Sequence, residues 1–524
     1  MLKKKMLKSS SSFCSLLNGV FFVSLIAMML SVGGLVPRAF IFVPALLILA
    51  YLFSAPYEDA VLFFVRFIPF FFALPFTADF DNFNLWRIAI IIVFLRWVFT
   101  VLRPAWLAKI DLRSWLGRAW SEHRAEVLGL SLFCFAFLSL SIVQDIYAGL
   151  KQFIYFVNLV LLCFVIRDLV ASRAGFLRKL AANFFLSGAL AIAIGFLQWG
   201  ATYLIPVSVF HLWWGQVISL NMYGGNWADI VTNFGNTWFS YSGGGLRLRM
   251  FSLFPDSHTF PLYLLMILPF LFLLITLFEK RELREQRVLG ISFLLLHLAL
   301  ILSGTRGIWV SIIAPAIFLA VFRAKFKDLN ALTRKIALSL LAFFVMFPLA
   351  WGIIFIPQFK DETGSSGALL VTRLRSIIDL YETSNKGRIG IWKKTIRSIE
   401  AHPVLGVGMG NYPVVLKEDI IASKAGASAH NLFLHIAAIM GIPALFVLVW
   451  FFWETMKRGF QFLTNAAIPR EYRLFAYASL FALVWILAYS MTDVALFDER
   501  AFLGFMVFLG AVLGLQGIAH RRRT

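Results

Sequence analysis

The chain has 524 residues, of which 60% are apolar, 16% aromatic and only 14% charged, and its net charge is +21. A soluble domain is roughly 25% charged, and no polar stretch here is long enough to form one, so a string of soluble domains is excluded. The apolar runs are continuous and near ~20 residues, enough to cross ~30 Å of hydrocarbon as helices; β-barrel strands alternate in shorter runs and are excluded as well.

An all-α polytopic membrane protein is therefore expected. About fourteen spans are predicted, near 13–35, 37–55, 60–78, 85–103, 127–145, 150–167, 181–205, 260–278, 288–304, 306–323, 335–357, 429–454, 472–491 and 500–518. The opening stretch "MLKKKMLKSSSSFCSLLNGVFF" has the charge of a secretion signal. Its apolar part exceeds the 7–15 residues of such a signal and no small-residue cleavage site follows, so it reads as the first span. Cys14, Cys134 and Cys163 all fall in apolar runs and read as packing residues, without a disulfide or metal pattern.

Lys and Arg favour the cytoplasmic side in short loops. With the N-terminus cytoplasmic, the strongly basic short segments, from "KKKMLK" through "EKRELREQR" to the terminal "RRR", all lie inside. Short outer loops such as "TADFDNF" are acidic or neutral, and the C-terminus is cytoplasmic too. The net charge is thus mainly a topological signal. Nucleic-acid binding needs a clustered basic surface on a folded module, and no such partner is expected.

Two outer loops are long, 206–259 and 358–428. The first, rich in Trp, Gly and Asn, suits an interfacial or glycan-contacting surface. The second contains "RIGIWKKTIRSIEAH", with Ile389, Trp392, Ile396 and Ile399 on one helical stripe and Lys393, Lys394 and Arg397 opposite, the pattern of a helix lying on a membrane. The expected organisation is an N-terminal bundle (1–205), a first loop (206–259), core helices (260–357), a second loop with an amphipathic helix (358–428) and C-terminal helices (429–524).

Candidate chemistry gathers on the outer side. Arg306 in "SGTRG", Arg388 in "NKGRIG", Arg247 and Arg249 in "GLRLRM", and Arg373 and Arg375 in "VTRLRS" all face it. Guanidinium groups grip phosphate bidentately and stay charged in apolar settings, which suits a lipid-linked phosphate or pyrophosphate; lipid headgroup pairing is the alternative. His430 stands where the second loop re-enters the membrane, either as a proton acceptor or as a structural hydrogen-bonding residue. His435 is a packing histidine or part of the site, and Asn431 suits a helix cap. Metal-binding helices use His at i and i+4; His430 and His435 are five apart, about 140° around a helix, and no acidic or Cys cluster accompanies them. No metal and no cofactor are expected.

Three blocks together carry a resemblance: "SGTRG", then "GRIGIWKKTIRSIEAHPVLGVGMGNY", then "AHNLFLHIAAIMGIPALF". Over about 245–450 the chain resembles the O-antigen ligase and polymerase superfamily. The matching positions are Arg306; Arg388, Trp392, Pro403, Gly406, Gly408 and Gly410; and His430, Asn431 and Gly441, with "RMFSLFPDSHTF" similar to an upstream arginine segment. Ile439 departs from the pattern, where an acidic residue is expected before Gly441. The resemblance implies a GT-C-like glycosyltransferase that works without metal on the outer face of the bacterial cytoplasmic membrane. It would move a glycan from undecaprenyl pyrophosphate to lipid A–core (ligase) or to another lipid-linked repeat (polymerase). It implies pyrophosphate binding by Arg306 and Arg388, with Arg249 as a further candidate, catalysis by His430, and support from Asn431, Trp392 and His435. Partners would be the lipid-linked glycan donor, a lipid or glycan acceptor, and membrane lipids.

A transporter is the competing class, with Arg66, Arg87 and Arg96 inside apolar runs. Against it, no repeat relates the two halves, no paired broken helices occur at matching positions, and Arg66 has possible partners in Glu58 and Asp59.

Overall fold

The computed structural model describes residues 2–77, 80–102, 123–233, 238–242, 245–279, 283–325, 330–356, 358–359, 383–417 and 428–520. Among these, ten helices are long and apolar enough to cross a membrane. They are α5 (Arg124–Ser139, apolar through Ile142), α6 (Ile146–Ser172), α7 (Phe176–Ala201), α8 (Thr259–Leu277), α9 (Leu283–Leu302), α10 (Arg306–Ala324), α11 (Asn330–Phe355), α13 (Leu432–Thr464), α14 (Arg470–Ser490) and α15 (Glu499–His520). Each coincides with a predicted span. α12 (Thr383–Ala401) belongs to the second long loop.

The first predicted span falls largely within α1 (Leu2–Val32), and the next three come out shorter; α2 (Phe42–Ser54) follows a 3-10 turn. The expected span 60–78 is not one helix. α3 (Tyr57–Phe67) gives way to a 3-10 turn at Ile68–Phe70, and Ala73–Leu74 (β1) pairs with Phe83–Asn84 (β2). Pro69 and Pro75 explain the break, because proline lacks the N–H that would continue the helix. α4 is a helix only over Trp86–Trp97, extended by a π-turn to Leu102.

The bundle is graded from centre to rim. α8 and α15 bury 83% of their spans, whereas α5 buries 28%. α15 lies along α6, α14 against α8, and α5 against α13. Small residues allow the closest approach: a side chain at Gly510, Gly514 or Gly517 of α15 would meet α6 at Ile166, Val170 or Ala171, as expected where packing drives helix association in lipid. The intramembrane arginines are locked in place. Arg66 donates to Asn183 and Asn18, while Glu58 pairs with Lys179 and Arg173, so the expected Arg66 partners are replaced by amides. Arg96 donates to the Leu52 and Ala55 carbonyls, and Arg87 sits over the rings of Trp86, Tyr155 and Phe83.

One end of the bundle is elaborated. Between α7 and α8, short helices at Val207–Leu212, Leu220–Tyr223 and Gly225–Asn233 precede a hairpin of β3 (Phe239–Ser242) and β4 (Gly245–Leu248). The following segment is pinned at Met250 N–H to the Leu302 carbonyl, which ends α9 beside it.

α13 is bent at Gly441 (φ 87°), with Pro443 two residues on. The turn after α12 fills the bend: Val407 N–H donates to the Ala438 carbonyl, and Ile442 N–H to the Pro403 carbonyl. The backbone groups freed by the kink are thereby satisfied, as lipid requires. A Cβ at Gly441 would collide with the Val404 carbonyl, and one at Gly406 with the Ala438 carbonyl. Both positions have positive φ and need glycine on two counts.

Candidate active site

A polar cavity with about 960 Å³ of empty space opens at this elaborated end. Its walls come from five places distant in sequence: Phe239 and Arg249, His258, Thr305 to Gly307, Gly387 to Ile391, and His430, closed by Tyr489, Thr492 and Asp493.

Helix starts set most of it. Asp256 accepts from His258 N–H (2.9 Å) and Thr259 N–H (2.8 Å), which caps α8 and places His258 at its mouth. The Thr305 hydroxyl donates to the Ser257 carbonyl (2.6 Å), tying the start of α10, and so Arg306, to that cap. Asn431 caps α13 by accepting from Phe433 N–H (3.0 Å) and Leu434 N–H (3.1 Å). The helix therefore begins at Leu432 rather than near 429, and His430 lies outside it at φ 44°. A left-handed non-glycine residue is uncommon, and such strain tends to persist where surrounding structure enforces it. Trp392 supplies part of that enforcement by donating from Nε1 to the Ala429 carbonyl (2.9 Å).

Asp493, on the turn between α14 and α15, is the hub. Its Oδ2 lies 3.3 Å from His258 Nδ1, 3.8 Å from His430 Nδ1 and 3.9 Å from Arg388. Burial alone would raise this carboxyl, but His258, His430 and Arg388 outweigh burial and hold it well below the usual carboxylate range. It is therefore an anion at neutral pH. Arg249 is pulled down to about 10, first by burial and then by Arg306, with Arg388 adding and Tyr489 and Asp256 opposing. It stays charged near pH 7, and its Nε is buried without an acceptor among the described residues.

The structure thus brings Arg249, Arg306, Arg388 and His430 to one cavity. It does not bring the other candidates to the wall. Asn431 is a cap and Trp392 a brace. His435 is buried behind the site, tilted against Tyr412 (4.6 Å between centroids) and edge-on to Phe497, with Nδ1 facing Ala429 N–H at 3.5 Å. Arg247 is buried in the hairpin and does not line the cavity; Arg373 and Arg375 lie outside the described residues. His258, Tyr489, Thr492 and Asp493 escaped the sequence reading. The available signal was an Asp-x-His at one helix start and an aspartate in a short outer turn. No group of three His, Cys, Asp or Glu positioned to hold a metal occurs among the described residues.

On α12 the buried Thr395 has its hydroxyl 2.7 Å from the Tyr412 hydroxyl; Ile389, Trp392 and Ile399 of the predicted stripe are half-buried, and Ile396, Lys393, Lys394 and Arg397 are exposed.

Fold and site define a multi-pass helical membrane protein with an anion-ready cavity at one end of its bundle. Residues 291–449 match the family described as O-antigen ligase, which supports the expected resemblance to the O-antigen ligase and polymerase superfamily. Its members are membrane glycosyltransferase-type enzymes, and with the ten apolar helices the family points to the bacterial inner membrane. Arg306, Arg388 and His430 lie inside the matched stretch; Arg249, His258 and Asp493 lie outside it. No curated protein matches the chain.

Proposed function

We propose that this chain is a metal-independent glycosyltransferase that moves a glycan from undecaprenyl pyrophosphate to an acceptor hydroxyl, lipid A–core in the ligase form, at the outer face of the cytoplasmic membrane. The observation that carries the reading is the convergence of three arginines and an aspartate-linked histidine on one cavity. Arg249, Arg306 and Arg388 would bind the pyrophosphate and offset the charge that develops as it leaves, the role in which fixed charges contribute most. His430 would take the proton from the acceptor hydroxyl as that oxygen attacks the anomeric carbon. The bond to the pyrophosphate oxygen breaks, its electron pair leaves with the pyrophosphate, and direct attack inverts the anomeric centre. Asp493 would orient His430 and stabilise its protonated form. In this reading 358–428 is the catalytic loop, the cavity faces outward, and both termini are cytoplasmic.

The test is transfer by the purified, reconstituted protein, given an undecaprenyl-pyrophosphate glycan and EDTA. Lipid A–core and a second lipid-linked repeat serve as alternative acceptors, and the one used separates ligase from polymerase. Product that forms despite EDTA and disappears in His430→Ala and Arg388→Ala supports the reading. No product with either acceptor, from folded protein, sinks it and favours transport.

A further inference from the structure

A second cavity lies within the bundle, away from the polar site. About 1090 Å³ of empty space, part of it open to the surroundings, runs between α5, α6, α13 and α15. Its lining is apolar almost throughout. On α13 it extends from Leu432 to Phe452, on the order of 30 Å of helix. Its upper end is Met409 and Phe497, and its lower end is Ala125, Glu126 and Arg167. Exposed Leu130 and half-exposed Phe133 and Phe164 mark the side open between α5 and α6. A space of this size facing hydrocarbon fills with a chain.

The lower end is charged, and the charge is unbalanced. Arg458 and Arg167 meet Glu126 at 2.6 and 3.1 Å, and His123 stands 3.5 Å from the same carboxylate. Arg124 and Lys457 lie on the same turns, with Glu454 the other acid. Among the described residues here, Arg167 and Arg458 share the single carboxylate of Glu126. Arg167 lines the cavity, and its Nε is buried with no acceptor among the described residues. This end lies at the opposite end of α13 from the polar cavity.

We infer that this cavity is a site for an anionic glycerophospholipid, with one acyl chain in the apolar channel and its phosphate on the Arg167 end. The lipid would wedge α5, the least buried of the spanning helices, against the bundle. The site makes no use of the pyrophosphate cavity and does not depend on the proposed activity.

The test is native mass spectrometry of the full-length protein, delipidated in detergent and titrated with phosphatidylglycerol or with phosphatidylethanolamine of the same chains. One phosphatidylglycerol per chain is expected, bound more tightly than phosphatidylethanolamine. Gly129→Leu, whose new Cβ would meet only Phe451 at 3.5 Å, should fill the channel and abolish binding. Arg167→Gln should weaken phosphatidylglycerol about tenfold, the scale of one charged contact, to the level of phosphatidylethanolamine. Unfolding temperatures without lipid check that the variants are folded; if Gly129→Leu is not, Ala136→Leu takes its place. Three outcomes overturn the inference: no retained lipid, equal binding of the two headgroups with no effect of Arg167→Gln, or displacement of phosphatidylglycerol by undecaprenyl phosphate, which would make the channel a donor-tail site.

Discussion

The molecule holds two clusters built from the same parts, arginines and histidines around one carboxylate, and they differ in spacing. At the lower end Glu126 is gripped at 2.6 and 3.1 Å by two arginines. At the upper end Asp493 has the His258 and His430 rings at 3.3 and 3.8 Å and Arg388 at 3.9 Å. In the first cluster two arginines close on one carboxylate, and that acid is a structural keystone. The second holds its arginine and imidazoles apart around a cavity, so they are available to something that enters. Composition does not separate these cases; distance does.

The comparison breaks most visibly at His430. His430→Ala should lower glycan transfer by about 10²–10⁴-fold, the range for a positioned base, without lowering the unfolding temperature; equal losses of fold and rate would make it structural after all. Glu126→Gln should do the reverse. It leaves two inward arginines without their partner, a change worth about 3–5 kcal/mol, read as a lower denaturant midpoint, while turnover of the remaining folded enzyme stays near wild type. Asp493→Asn should fall between, lowering turnover while leaving donor binding nearly intact.

Asp493 also makes a prediction in pH. Its folded carboxyl is held below its unfolded value of ~3.9, so its stabilising contribution is present above that value and fades as pH drops through the lower folded value. The stability difference between wild type and Asp493→Asn should therefore be largest near neutral pH and shrink below about pH 4. A constant difference would mean that the carboxylate's charge plays no part. Smallest of all, Trp392→Phe removes one hydrogen bond to the Ala429 carbonyl and should shift stability by about 1 kcal/mol, with a modest loss of rate.

The spanning helices were legible because lipid demands unbroken apolar runs, and ten of them fall where hydropathy puts them. The region 60–78 was misread because hydropathy counts Phe and Ile but not the missing N–H of Pro69. In the cavity, Arg306, Arg388 and His430 stand inside recognisable blocks, and Arg249 was visible as one of a basic pair in the first long outer loop. Asp493 was not, since only the tertiary fold carries a residue of the α14–α15 turn to His430, and an aspartate in an outer turn looks like any solvated acid. His258 was hidden in the same way by its distance from the motifs. His435 was legible both as a packing histidine and as part of the site, and the structure buries it against Tyr412 and Phe497 behind the cavity.

The turn that fills the bend of α13 has a mechanical consequence. It fastens the Ala401 end of α12 to the membrane helix through two backbone hydrogen bonds and two glycines that admit no side chain. Arg388 lies thirteen residues away along α12, about 20 Å from that anchor. α12 is fastened again at Thr395, to the Tyr412 hydroxyl, and at Trp392, to the Ala429 carbonyl. Arg388 thus stands one turn beyond the last of three fixed points, and its 3.9 Å spacing from Asp493 is set by the bent membrane helix rather than by the loop that carries it.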